Sequence, residues 1–265
     1  MINGFDNISV FESLFGDFLN ADDVIINVTT QNLKNVCYCE KSNRVTDEKY
    51  ILKVSGDCNK RNIEIISSGE KSAFYALCDV ASRYENATLE NGEYTVSPSF
   101  AVRGYIEGFY GTPWTHEKRM SVMSLMAKNR MNTVYHAPKD DLYHRELWRE
   151  LYPENELSKL RELVDCAKQY YMDFHWCIAP GLSIKYSDEK EFETLMSKTR
   201  QMYSIGIRHF GLLLDDIEED LEFEEDKALY GETVNAHIAL IEKYHNALLS
   251  IDKSNKLTIC PTLYH

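Results

Sequence analysis

Two adjacent carboxylates, Asp215 and Asp216, follow directly on Leu212-Leu213-Leu214 and precede Ile217. A short apolar run of that kind reads as a buried strand, which leaves the two acids at its end. Successive strand side chains point to opposite faces, but a chain that turns at the strand terminus can bring both into one cleft. Two carboxylates held close titrate apart, one staying an anion while the other keeps its proton at neutral pH. Glycoside hydrolysis uses that pair of roles. Two other readings fit the same residues. One is a solvated acidic turn, because Glu218, Glu219 and Asp220 continue the run. The other is a divalent-metal site built from clustered carboxylates, as in a metal-dependent hydrolase.

Two further segments carry chemistry. Ala137-Pro138-Lys139-Asp140-Asp141 places a lysine just beyond a strand, able to donate to hydroxyls or carbonyls of a substrate, or to serve an ordinary salt-bridged loop. Arg103-Gly104-Tyr105-Ile106-Glu107-Gly108-Phe109-Tyr110-Gly111 interrupts a strand with glycines, which marks close approach of a ligand or of another backbone. Trp114 and Trp148 are candidates for an apolar sugar face, with core packing the plainer reading for either alone. His116, His136, His144, His175 and His209 have no ligand-like spacing and read mostly as structural.

The elements that must position these groups alternate from residue 100 onward. Strands are expected at Val102–Phe109, Thr133–Ala137, Phe174–Ala179, Phe210–Leu214 and Leu257–Cys260, with helices at Glu117–Asn129, Glu156–Tyr171, Glu189–Ser204 and Thr233–Leu249. Strand–helix alternation with apolar strands implies a parallel sheet, and the spacing fits successive units of a (β/α)8 TIM barrel, whose chemistry sits at the C-terminal strand ends. Tyr110, Lys139, Pro180-Gly181 and the acid pair all fall at such ends. Five strands are expected where a closed barrel has eight over about 250 residues, so the chain reads as part of a longer protein or as a coding sequence cut short. Residues 1–99 read as a small α/β domain, with strands near Val24–Val28, Tyr50–Val54 and Ile63–Ile66 and an amphipathic helix over 72–81. Ser97-Pro98-Ser99 marks the boundary, and 100–265 is the N-terminal part of the barrel domain.

Composition narrows the function classes. The formal net charge is −13 over 265 residues, with no basic cluster, which argues against nucleic acid and anionic membranes as partners. No apolar run approaches the roughly 20 residues of a membrane span, and the N-terminus has no signal-like segment. Seven cysteines at irregular spacing, an odd number, point to reduced thiols and a cytoplasmic setting. Cys37 and Cys39 read as a pair of thiols rather than half of a metal site, since no second half follows.

Taken together, the segments resemble glycoside hydrolase family 84, which holds the O-GlcNAcases and the hyaluronidase-type bacterial β-N-acetylglucosaminidases. Arg103 to Trp114 resembles the opening of that family's barrel. Ala137 to Arg145 with Trp148-Arg149-Glu150 resembles its second signature, Ala179-Pro180-Gly181 and Leu214-Asp215-Asp216-Ile217 its third and fourth, and Pro261-Thr262-Leu263-Tyr264 its fifth. The resemblance runs in order from about Phe100 to the end, with a looser one over the N-terminal domain. It implies a retaining β-N-acetylglucosaminidase working by substrate-assisted catalysis through an oxazoline, without metal or other cofactor, on glycans or glycoproteins ending in β-linked N-acetylglucosamine. Asp215 would polarise the 2-acetamido N–H. Asp216 would be general acid and then general base. Gly108, through its carbonyl, and Lys139 would hold sugar hydroxyls, Tyr110 would line the pocket, and Tyr264 would hold the acetamido group. The family usually has an acid where Leu263 stands, and its groups for the sugar's far hydroxyls come from later strands. The competing expectation is therefore a catalytically incomplete or sugar-binding remnant without turnover.

Overall fold

The computed structural model describes residues 1–19, 24–31, 47–57, 60–139 and 141–263. Cys37, Cys39, Cys58, Asp140 and Tyr264 lie outside the described residues. The chain divides into two compact units: Met1–Arg103 with Ser121–Asn132 and Gln169–Tyr171, and Gly104–Met120 with Thr133–Lys168 and Met172–His265.

The first unit holds a mixed sheet in the order β1-β2-β4-β3-β5, formed by β1 (Ile2–Asn3), β2 (Val24–Thr30), β3 (Tyr50–Gly56), β4 (Arg61–Ser67) and β5 (Gly92–Val96). β2 runs parallel to β4, and β3 runs antiparallel to both β4 and β5. Helix α2 (Glu70–Glu85) buries Phe74, Leu77, Val80 and Ala81, the 3.6-residue stripe legible in the sequence. Helix α1 (Ile8–Leu19) has no counterpart among the sequence expectations, although Val10, Phe11, Leu14, Phe15 and Phe18 are buried at helical spacing. Its aromatic residues and Gly16 are poor helix formers, and non-helical angles at Phe15 (φ −135°, ψ 39°) kink it.

The second unit is built on one all-parallel sheet whose order, β10-β9-β8-β7-β6, follows the sequence without a reversal. Its strands are β6 (Gly104–Glu107), β7 (Thr133–His136), β8 (Asp173–Ile178), β9 (His209–Leu213) and β10 (Lys256–Cys260). Helices α4 (Glu154–Gln169), α5 (Glu189–Ser204) and α7 (Thr233–Ile251) fill crossovers, with a short α6 (Glu224–Tyr230) before the last; α3 (His116–Lys128) follows β6 in sequence, its residues from Ser121 onward counting with the first unit. A doubly wound sheet would reverse strand order at a switch point. Single winding is the topology of a TIM-type barrel, here with five strands among the described residues. α5 begins and ends at the residues expected, Asp188 capping it by accepting from Lys190 N at 2.9 Å.

The two faces of this sheet differ. Trp176, Ile178, Phe210, Leu212 and Leu214 are fully or almost fully buried on one. The other carries a polar aromatic row, Tyr135, His175 and His209, with ring centroids 4.1 and 4.6 Å apart. Glycines permit the close packing. A Cβ on Gly104 would come 1.7 Å from the carbonyl oxygen of Thr133, and one on Gly211 would come 2.4 Å from the sulfur of Cys177. The glycine-rich first strand is thus explained at Gly104 by backbone approach. It is also shorter than expected, Gly104–Glu107 rather than Val102–Phe109. Arg103 N donates to the side chain of Asn132 instead of a neighbouring strand, and past Glu107 the strand ends, with Phe109–Gly111 exposed.

Candidate active site

Residues 211, 213 and 215 share one face by the two-residue period of β9. Leu214 N still donates to Cys260 O at 2.9 Å, so the ladder to β10 runs one residue past β9 and Asp215 follows directly on it. Regular alternation would then send Asp216 to the opposite face. Instead Asp216 takes a left-handed backbone, φ +53°. That conformation costs a non-glycine residue about 1–2 kcal/mol, aspartate being among the side chains that visit it most readily. The turn brings the second carboxylate beside the first. Oδ2 of Asp215 and Oδ2 of Asp216 each lie 3.1 Å from Nζ of Lys139.

The two acids are not equivalent. Asp215 is buried, whereas the Asp216 side chain is 41% exposed. Asp215 spends Oδ2 on Lys139, and its Oδ1 is buried without a hydrogen-bond partner. The thiol of Cys260, a weak donor whose own pKa is raised by burial and then by the Asp215 charge, faces the same carboxylate. Asp216 Oδ2 accepts from the hydroxyl of Tyr110 at 2.7 Å. That bond, followed by the Lys139 contact, holds the Asp216 carboxyl below the usual aspartate range. Burial works against the Lys139 ammonium, but its hydrogen bonds to Asp216 and Asp215 outweigh this and raise its pKa.

Mutual repulsion of adjacent acids is met here by Lys139, 3.1 Å from both. With the Tyr110 hydroxyl as the larger influence, the exposed acid is held down rather than lifted. Among the described residues no three His, Cys, Asp or Glu side chains are grouped to hold a metal. The charge between the acids is the lysine's.

Tyr110, Lys139, Asp215 and Asp216 thus meet in one cluster, with the Lys139 ammonium 5.5 Å from the centre of the Tyr110 ring. Gly108 lies at the same strand exit, where an added Cβ would meet Ile106 Cγ2 at 3.1 Å; no described contact joins it to the acids. Trp148 is wholly buried and donates to Ser183 Oγ at 3.2 Å, a core position. Trp114 packs on Tyr105 and Phe109. Glu218, Glu219 and Asp220 are exposed, as an acidic turn would be.

The match to known proteins covers this same stretch. The β-N-acetylglucosaminidase family model matches residues 103–265, more than half of the chain. The chain belongs to the β-N-acetylglucosaminidases of glycoside hydrolase family 84. Among curated members, Protein O-GlcNAcase of Rattus norvegicus and that of Mus musculus are each 36% identical over 161 residues, 61% of this chain and 17% of theirs. The chain therefore spans about a sixth of the length of those relatives. Among solved structures of family members, a mutant of the Thermobaculum terrenum O-GlcNAc hydrolase is 39% identical with a TM-score of 0.61, covering 62% of this chain and 36% of its own. CpGH84B is 29% identical with a TM-score of 0.72, covering 97% of this chain and 46% of its own. No helix among the described residues of this family member is long and apolar enough to cross a membrane.

Two residues of the site had no role in the sequence reading. Arg145 donates to Tyr110 and to the Asp216 backbone, and His144 donates from Nδ1 to Cys177 O at 2.8 Å with Nε2 buried and unpartnered. Burial pushes His144 down to about 4, so its ring is neutral. Both follow Lys139 in the loop after β7, and their position in that loop was the available signal.

Proposed function

We propose that this chain carries the catalytic acid pair of a retaining β-N-acetylglucosaminidase acting on terminal β-linked N-acetylglucosamine of glycans or glycoproteins. In substrate-assisted hydrolysis the substrate's acetamido oxygen attacks C1 and closes an oxazoline, so no enzyme carboxylate has to reach the anomeric carbon. Asp215 accepts the acetamido N–H and stabilises the positive charge that develops on its nitrogen. Asp216 protonates the leaving oxygen and then takes a proton from the water that opens the oxazoline. Lys139 and the carbonyl of Gly108 hold sugar hydroxyls, and Tyr110 lines the pocket. Tyr264 helps hold the acetamido group or the oxazoline formed from it.

The observation that carries this reading is the asymmetry of the pair. Asp215 is buried with one oxygen fixed on Lys139 and the other faced by no donor stronger than the Cys260 thiol, which an N–H displaces readily. Asp216 is at the exposed side, where an aglycone oxygen arrives. The lowered Asp216 pKa belongs to the unliganded state, in which Tyr110 and Lys139 both hold it as an anion. A sugar hydroxyl that draws Lys139 away, with an aglycone that excludes water, reverses those influences, and the proton is taken up with the substrate.

The test is a series of aryl β-glycosides in which the N-acetyl group becomes mono-, di- and trifluoroacetyl. Fluorine weakens the carbonyl oxygen as a nucleophile, so turnover must fall steeply along the series. A flat series contradicts participation by the acetamido group.

A further inference from the structure

Arg145 is a second buried cation beside Asp216, 8% exposed, and it makes no described ion pair. Its guanidinium reaches two ways. Nη1 donates to the Tyr110 hydroxyl at 2.9 Å, and Nη2 donates to the backbone carbonyl of Asp216 at 2.8 Å. The left-handed peptide of Asp216 and the phenol that donates to its carboxylate are therefore held by one rigid planar fork.

The fork is itself firmly mounted. Lys198, wholly buried in α5, donates to the carbonyls of Tyr143, Leu147 and Trp148, which bracket Arg145 in sequence. Ala179 N donates to the carbonyl of His144 at 2.9 Å, and the His144 ring donates to Cys177 O. A side chain on an anchored loop can hold a strained neighbour in place; one on a loose loop would follow it.

We propose that Arg145 is a positioning residue for the acid/base step: through the Asp216 carbonyl and the Tyr110 hydroxyl it fixes the turn that presents Asp216 beside Asp215. The inference rests on the reading of Asp216 given above. Lysine cannot replace it fully, because a single ammonium does not span both acceptors in one plane. The charged and titratable groups facing Asp216 are Lys139, Tyr110, Arg145, Asp215 and Cys260.

The experiment is a carboxyl-carbon NMR titration of Asp216 in the full chain, for wild type, Arg145→Met, Arg145→Lys, Tyr110→Phe and the Arg145→Met/Tyr110→Phe double variant, with thermal melting as the check on folding. Arg145→Met should raise the Asp216 midpoint by about one pH unit, the size expected when a neighbouring cation and an oriented hydrogen bond are lost. Arg145→Lys should recover part of the shift. The double variant should shift by less than the sum, because Arg145 acts partly through Tyr110. An unmoved midpoint in folded Arg145→Met, or strict additivity in the double variant, overturns the proposal. Should Arg145→Met not fold, an unmoved midpoint in Arg145→Lys overturns it. Kinetics add a second readout. Loss of a positioned acid hurts a phenyl glycoside, a poor leaving group, about tenfold more than a dinitrophenyl one. Equal loss on both would assign Arg145 a purely structural part and leave the function intact. If wild type cleaves neither substrate, the proposed function fails, while the titration still decides whether Arg145 positions Asp216.

Discussion

The hydroxyl of Tyr110 donates to Oδ2 of Asp216 at 2.7 Å, joining the chain beyond the first barrel strand to the chain beyond the fourth across 106 positions. The bond favours the anion of Asp216. Tyr110→Phe removes it and should raise the pKa of the acid in the free enzyme. The basic limb of the kcat/KM profile then moves to higher pH. A pH–rate profile of the variant checks this, and a basic limb that stays put or moves lower contradicts it.

Asp215 and Asp216 should fail differently when replaced. Asp215→Asn keeps an acceptor but loses the charge that answers the developing positive nitrogen, so turnover should fall by about 10²–10³-fold for good and poor leaving groups alike. Asp216→Ala should spare a dinitrophenyl glycoside and lose about 10²–10⁴-fold on a phenyl one, the usual contribution of a positioned acid. Matching leaving-group plots for the two variants would contradict the division of roles.

Gly211 is required by packing, since its Cβ would stand 2.4 Å from the Cys177 sulfur. Gly211→Ala should cost about 1–3 kcal/mol by overpacking. Cys177→Ala in the same chain should recover part of that, because the clash is with the sulfur. Denaturant melts of the two single variants and the double one decide it. Equal stability of Gly211→Ala with and without Cys177→Ala would show that the strain lies elsewhere.

Acid should destabilise the fold through buried histidines. His144 is pushed by burial to about 4 and His175 to about 3, both below the ordinary value of 6.5. The unfolded chain binds those protons as pH falls below about 6.5 while the folded chain does not, so folding free energy is lost at up to about 1.4 kcal/mol per pH unit for each group. For His144 the loss runs from about 6.5 down to about 4 and then levels off. His144→Asn, which keeps a donor for Cys177 O, should flatten the dependence of melting temperature on pH across that window. An unchanged slope would contradict it.

How far the sequence showed this architecture depends on the segment. Strands such as Phe210–Leu214 are apolar on consecutive residues because the parallel sheet is buried, and that signature needs no tertiary information. The helix over Glu189–Ser204 combines a stripe at Phe192, Leu195, Met196, Thr199 and Met202 with a capping aspartate, so both ends were legible. α1 was missed because its aromatic residues and Gly16 weaken the helix signal that packing then overrides. α6 lies in an acidic stretch that reads as surface, yet Asp226 within it is wholly buried, accepting from Tyr186 N and Ser187 N at 2.8 and 2.7 Å. At the site, residue types gave Lys139 and the acid pair. A turn at the strand end that brings both acids into one cleft was expected, but not its form, the left-handed backbone of Asp216. The downward shift of Asp216 was invisible, because it depends on where Tyr110 and Lys139 point.

On the proposed function, Asp215 and Asp216 form a working acid pair for β-linked N-acetylglucosamine. The most direct measurement is release of phenol from phenyl β-N-acetylglucosaminide by this chain and by Asp216→Ala, with the first-formed sugar followed by proton NMR. The expected result is turnover by the unmodified chain with the β-anomer appearing first, and at least about a 10²-fold loss in Asp216→Ala. No turnover by the unmodified chain, turnover unchanged in Asp216→Ala, or the α-anomer appearing first would contradict it.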